Sequence, residues 1–109
     1  MLYYCGIMET KHVITALAAL AQESRLAAFR LLVQTGPEGL AASRIAEQLD
    51  ISPSSLSFHL KELSHAGLIS SRQDGRFIIY SANFDTMNGV LSFLTDNCCG
   101  GKPCGVKCQ

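Results

Sequence analysis

Cysteine is the residue type with the clearest chemistry in this chain, and its cysteines are clustered. Four of the five, Cys98, Cys99, Cys104 and Cys108, fall within the last twelve of 109 residues. The same segment holds one other bulky apolar side chain, Val106, so it cannot build a core of its own. Thiolates are nucleophiles and ligands for soft metals. The cluster therefore predicts metal or metalloid ligation, or redox chemistry, rather than packing.

The spacing of these cysteines favours a site with three sulfur ligands. Adjacent residues on a regular helix diverge by about 100°, so Cys98 and Cys99 could not converge on one ion there. Gly100 and Gly101 would let the chain fold back and bring Cys104 to the pair. Three sulfurs with one side open suit trivalent arsenic or antimony as the effector. Zinc, cadmium or lead with Cys108 as a fourth ligand, and thiol-disulfide or persulfide sensing, stay open, although the Cys-x₂-Cys pairs of structural zinc sites are missing.

Length and charge limit the kinds of protein this chain can be. A chain of 109 residues is one small domain, and domains of this size often gain stability by forming dimers. Nine Lys and Arg balance nine Asp and Glu, so any nucleic-acid binding must rest on a local patch. Clustered cysteines that serve as ligands favour the reducing cytoplasm. No apolar run reaches the length of a membrane span, so no membrane association is expected.

The central part of the chain has the pattern of a helix-turn-helix. Apolar spacing predicts helices from His12 and after Ser24, the second with Leu26 on its inner face and ending at Gly36-Pro37. A short helix over residues 41–49 is followed by a turn. Ser52-Pro53 then starts a helix to about His65, because the serine can cap free N–H groups and proline is tolerated at the first helical position. Helix, short turn and capped helix form the helix-turn-helix motif.

A wing and a last helix complete the predicted fold. Residues 68–72 and 76–80 are β-rich and are joined through Gln73-Asp74-Gly75, a typical hairpin sequence. The last helix begins near Asp85 and is expected to run into the cysteines. The fold class is therefore α+β: a winged helix-turn-helix, mainly helical with one two-stranded hairpin. The expected divisions are an appendage over residues 1–7, a dimer domain over 8–97 and a cysteine-rich tail over 98–109.

The helix that starts at Pro53 carries the candidate residues for DNA binding. Its face opposite the apolar stripe and the flanks of that face are rich in hydroxyls that suit phosphates and base edges, while Phe58 could touch a thymine methyl. Arg72 and Arg76 flank the hairpin tip, where they could meet phosphates. The alternative for this face is a merely solvated surface. The candidate DNA-binding residues are Ser54, Ser55, Ser57, Phe58, His59, Lys61, Arg72 and Arg76. Among the remaining residues we find no set with catalytic spacing, so we expect no enzyme activity and no catalytic cofactor.

Three segments of the chain form a recognisable set. They are Leu20-Ala21-Gln22-Glu23-Ser24-Arg25-Leu26, then Ser54-Ser55-Leu56-Ser57-Phe58-His59-Leu60 followed by Leu63 and Ala66-Gly67-Leu68-Ile69, and finally Arg72-Gln73-Asp74-Gly75-Arg76 with Tyr80. With these segments, residues 9 to about 97 resemble the ArsR/SmtB family of dimeric winged-helix repressors, which leave DNA when they bind a metal or metalloid.

The resemblance also implies where an effector would bind. Many arsenic-responsive members carry Cys-Val-Cys before the recognition helix, where this chain has Ala41-Ala42-Ser43-Arg44, and the histidine ligands of zinc-responsive members are absent from the last helix. What is left looks like the arsenite-responsive subgroup with a C-terminal site, which carries over to Cys98, Cys99 and Cys104. Cys108 has no counterpart there.

The resemblance implies a homodimer that binds double-stranded operator DNA and represses an arsenic-resistance operon. The first and last helices would form the dimer interface, through Val13, Leu17, Leu20, Val90, Leu91 and Leu94. Two other hypotheses stay open: a repressor that senses thiol redox state or persulfide, and a metal-buffering thiolate protein that binds no operator.

Overall fold

The computed structural model of the protein describes residues 9–96. The predicted appendage and the cysteine-rich tail lie outside these residues. Five helices and three strands follow one another in the order α1 (Thr10–Leu20), α2 (Glu23–Thr35), β1 (Leu40–Ala41), α3 (Ala42–Leu49), α4 (Pro53–His65), β2 (Ile69–Asp74), β3 (Phe77–Ala82) and α5 (Phe84–Thr95).

Helix α4 begins and ends where the sequence predicts. The hydroxyl of Ser52 accepts a hydrogen bond from the backbone N–H of Ser55 at 3.3 Å, and Pro53 occupies the first turn. Leu56, Leu60 and Leu63 point into the core and are buried. The helix ends at His65, before Gly67 takes a positive φ of 76° that glycine adopts without strain. The prediction for this element is confirmed.

The sheet has three strands rather than the two of the predicted hairpin. Its order is β1-β3-β2, and β1 pairs with β3 through Leu40 opposite Tyr80 and Ala41 opposite Ile79. Gly39 makes this approach possible, because a Cβ at its position would collide with the backbone carbonyl oxygen of Tyr80. A two-residue strand has no periodicity of its own, and the sequence therefore gave no signal for β1.

The hairpin turn lies one step further along the chain than predicted. Asp74 pairs with Phe77, so Gln73 and Asp74 belong to β2 and the turn consists of Gly75 and Arg76. Gly75 has a φ of 64°, as a tight two-residue hairpin turn requires. Arg76 therefore stands at the tip of the wing.

Helix α5 ends at Thr95, and the prediction that it runs into the cysteines is wrong. The hydroxyl of Thr95 donates to the carbonyl of Leu91 at 2.8 Å, and Asp96 leaves the helical region with a ψ of 125°. Threonine, aspartate and asparagine are weak helix formers because their short polar side chains compete for backbone hydrogen bonds. The prediction relied on the spacing of apolar residues and did not take account of these polar residues, at which the helix ends.

The core lies behind α4 and holds it in place. Its most deeply buried side chains come from α2, α3, α4 and the start of the wing: Leu32, Ile45, Leu56, Leu63 and Leu68. Leu26 was expected on the inner face of α2, but 44% of its surface is exposed. Within residues 9–96, none of the helices combines the length and apolar character needed to cross a bilayer.

Candidate nucleic-acid interface

The outer face of α4 is open to solvent and carries most of the candidate DNA-binding residues. Ser54, Ser55, Ser57, Phe58 and Lys61 are all exposed, Phe58 by 56% of its surface. They are exposed because the three leucines of the opposite face anchor the helix to the core. This arrangement offers hydroxyls, one cation and one apolar ring along a single helix, the mixture that contacts phosphates and base edges in a major groove.

His59 differs from its neighbours on α4 because it is half-buried and has a partner. Its Nδ1 lies 3.3 Å from Nη1 of Arg25 on α2, and its ring meets the ring of Phe58 edge to face with centroids 5.7 Å apart. Arg25 is not among the site residues predicted from the sequence. Nothing in the spacing of the chain indicates a contact between residues 34 positions apart.

The two arginines of the wing are placed differently. Arg72 turns its guanidinium back onto the loop before β1, where it donates to the carbonyl of Glu38 at 2.7 Å and more weakly to that of Pro37 at 3.5 Å. Arg76, at the wing tip, makes no hydrogen bond or ion pair within the described part of the chain. Arg76 is therefore the wing arginine whose donors are free for a phosphate.

The formal charges around the interface cancel. Over residues 43–76 the four cations Arg44, Lys61, Arg72 and Arg76 are matched by Glu47, Asp50, Glu62 and Asp74. Between residues 9 and 96 the only ion pair is the exposed one between Arg44 and Glu47 at 3.6 Å, a kind that contributes little stability. Because so few cations are free to contact phosphates, we expect the affinity for DNA to depend only moderately on salt concentration.

A second surface, the apolar groove, lies between α1, α2 and α5. It encloses about 300 Å³, and Arg30 is the only charged side chain that lines it within the described chain. Its lining includes Leu17, Leu20, Leu26, Met87, Leu91 and Leu94. Leu17, Leu91 and Leu94 are 39%, 50% and 58% exposed, so the described residues of one chain leave them in water.

The expected dimer residues are divided between this groove and the core. Leu17, Leu20, Leu91 and Leu94 line the groove together with Val90, which is itself nearly buried. Val13 packs wholly in the core of its own chain and lies beneath the surface rather than on it. Leu26 and Met87 also line the groove, although neither is among the interface residues predicted from the sequence.

The cysteines of the candidate effector site, Cys98, Cys99 and Cys104 with Cys108, lie outside the described residues, as does Cys5. Within residues 9–96 no group of three or more His, Cys, Asp or Glu side chains could hold a metal ion. The described residues thus contain the exposed face of α4 and the apolar groove, and the effector site remains an expectation from the sequence.

A helix-turn-helix with an exposed second helix and an antiparallel wing beside it defines a winged helix-turn-helix protein. Residues 20–72 match the family model of a helix-turn-helix domain. The chain is 35% identical over 81 residues to the arsenical resistance operon repressor of Bacillus subtilis (strain 168), an alignment that covers 74% of this chain and 73% of that protein. It is also 35% identical over 80 residues to the nodulation protein NolR of Rhizobium meliloti, covering 73% of this chain but 63% of that protein.

The structural comparison agrees with these relationships. The ArsR-like transcriptional regulator from Rhodococcus sp. RHA1 superposes with a TM-score of 0.69 at 30% identity, covering 77% of this chain and 76% of that one. The chain therefore belongs to the ArsR family of winged-helix transcriptional regulators, and its relatives are regulators rather than enzymes. One relative is named for arsenical resistance and another for nodulation, so family membership does not by itself identify an effector.

Proposed function

We propose that this protein is a homodimeric repressor that binds operator DNA and is released from it by trivalent arsenic, or antimony, held by Cys98, Cys99 and Cys104. The observation that carries the proposal is that the cysteines follow closely in the sequence after the last exposed leucine of the groove. Leu94 is exposed in the last turn of α5, and Cys98 follows it by four residues. A ligand that gathers the tail would act directly beside a surface expected to hold the dimer together.

Dimerisation is supported by the exposed leucines of the apolar groove. A continuous apolar surface of this kind marks an interaction site, and in a closed symmetric pair each copy would cover the groove of the other. Two α4 helices held by one dimer would enter successive major grooves about one helical turn apart. The DNA spacing is then set by the geometry of the dimer interface.

The chemistry of the tail suits a metalloid. Arsenous acid and three thiols exchange three hydroxides for three sulfurs and release three waters, which leaves a pyramidal centre that needs no fourth ligand. Binding can derepress only if the filled conformation has lower DNA affinity, a coupling of typically ~1–3 kcal/mol. We propose that gathering the tail strains the end of α5 and shifts the two α4 helices away from the spacing of the operator.

A DNA-binding titration tests this function. The protein first selects its own operator from random duplexes in a reducing buffer, and the selected duplex is then titrated with arsenite, antimonite, zinc, cadmium and an organic polysulfide in parallel. Release by arsenite or antimonite at near one equivalent per chain is expected. Release by polysulfide alone would support the redox-sensing alternative, and failure to select any duplex would support the metal-buffering one.

A further inference from the structure

Arg25 joins three helices through its backbone and side chain. Its backbone N–H donates to Oε1 of Gln22 at 2.9 Å, which caps the start of α2. Its Nε donates to the carbonyl of Ala19 at 2.8 Å, near the end of α1 where carbonyls lack a helical partner. Its Nη1 meets His59 on α4. The hydrogen bond to Ala19 therefore holds the guanidinium in one orientation where it contacts the imidazole of His59.

The contact with Arg25 fixes where His59 carries its proton. An arginine guanidinium has only donors and stays protonated in proteins, so it cannot accept a hydrogen bond from the ring. A hydrogen bond between these two nitrogens, which lie 3.3 Å apart, therefore has Nδ1 of His59 as its acceptor and places the ring proton on Nε2.

The other ring nitrogen of His59 is free to act. Nε2 lies on the other side of the ring from Nδ1 and has no hydrogen bond within residues 9–96. Every buried side-chain nitrogen or oxygen in these residues has a hydrogen-bond partner, so Nε2 is not buried. Nε2 is therefore accessible to solvent. It presents an N–H donor on the flank of the exposed α4 face that carries Phe58 and Lys61. The acceptors that a major groove offers such a donor are guanine N7 and O6, adenine N7 and thymine O4.

We infer that Arg25 is a positioning residue for DNA recognition. It holds His59 in the Nε2–H tautomer, so that α4 presents an N–H donor of fixed direction to an acceptor on a base edge. The inference rests on the proposed contact between α4 and operator DNA. Without Arg25 the ring would both rotate and exchange between tautomers, so the fraction of molecules with Nε2–H aimed at the base edge would fall. The competing role for Arg25 is a direct phosphate contact through its remaining donors.

Imidazole NMR of the free protein tests the tautomer without DNA. In long-range ¹H–¹⁵N spectra of the reduced, full-length protein at mildly alkaline pH, His59 should show a protonated Nε2 and an unprotonated Nδ1. Arg25→Met keeps a long apolar stem without donors and should move both nitrogens toward averaged shifts, while exposed His12 on α1 stays unchanged. A wild-type His59 that already shows averaged shifts, or a proton on Nδ1, would overturn the inference whether or not the variant folds.

A double-mutant cycle tests the consequence for DNA. On the selected operator, Arg25→Met and His59→Ala should each weaken binding by about ten-fold, and adding Arg25→Met to His59→Ala should cost less than about two-fold more. Equal losses in both backgrounds, and on random duplex as well, would make Arg25 a phosphate contact and overturn the inference. So would a His59→Ala variant with unchanged operator affinity. If the wild-type protein selects no duplex at all, the proposed function fails, whereas the NMR result still decides the tautomer.

Discussion

The outer face of α4 and the apolar groove both expose large apolar side chains, Phe58 by 56% and Leu94 by 58% of their surfaces. Their surroundings differ. Phe58 stands among serine hydroxyls, Lys61 and the ring of His59, whereas Leu94 continues a lining of leucines and other apolar side chains. A single exposed apolar residue on a polar face is ordinary, but a contiguous apolar surface marks an interface.

The two surfaces therefore depend on a second copy of the chain to different degrees. The α4 face is assembled by the core and by Arg25 of the same chain, so one chain suffices to form it. The groove is covered only when another apolar surface meets it. A second copy would thus change the spacing of two recognition faces without rebuilding either of them, which is how an effector beside α5 could control DNA binding.

The largest effect is expected from a charge placed in the groove. Leu94→Glu removes a leucine from the interface in both copies, and at ~2 kcal/mol for each buried leucine the loss is about 4 kcal/mol, or roughly a thousand-fold in dimer affinity. Sedimentation equilibrium measures this directly. Phe77→Glu on the wing is the matched control, because Phe77 is also 58% exposed but does not line the groove. Equal dimer affinities for the two variants would show that the groove is not the interface.

A smaller effect, confined to the effector response, is expected from the tail. Cys98→Ser, Cys99→Ser and Cys104→Ser should each keep operator binding and lose release by arsenite, a change within the range of about 5- to 150-fold that such coupling covers. Fluorescence anisotropy of labelled operator with and without arsenite measures it. Cys108→Ser is the control and should respond like the wild type. A Cys108→Ser variant that no longer releases the operator in response to arsenite would instead indicate a four-sulfur site.

A chain that ends at Asn97 separates the tail from the repressing conformation. It keeps every described residue, so it should dimerise and bind operator with wild-type affinity while ignoring all effectors. Loss of operator binding by this truncation would mean that the tail supports the groove even when no effector is bound to the tail.

The order of α1–α5 and the placement of α4 could be predicted from the sequence because their signals are local. Ser52, Pro53 and the leucine spacing act within one or two turns of the helix they define. By contrast, β1 depends on Gly39 fitting against Tyr80, and His59 and Arg72 meet partners 34 and 35 residues away. Such contacts follow from how the elements pack, and single-sequence spacing carries no information about them.

A modest, sequence-dependent effect is expected along α4. Ser57→Ala should weaken operator binding by about five-fold and change binding to random duplex little, because contacts to base edges carry the sequence information. Ser64→Ala is the matched control: Ser64 is also exposed and lies two turns further along the same helix, away from its N-terminal end. Equal losses for the two serines would mean that α4 lies along the DNA instead of inserting its first turns.

The smallest effect is expected at the wing, where the two arginines can be compared directly. Arg76→Ala should remove about one phosphate contact, which lowers the slope of log affinity against log salt concentration by about 0.9 and weakens operator and random duplex equally. Arg72→Ala should leave the slope unchanged, because its guanidinium is already bonded to the carbonyls of Glu38 and Pro37; its cost should be a slightly lower melting temperature. Salt titrations of both variants on the selected operator measure the difference. If Arg72→Ala lowers the slope as much as Arg76→Ala does, the guanidinium of Arg72 must leave the loop before β1 to contact a phosphate. The wing would then change its contacts when it binds DNA.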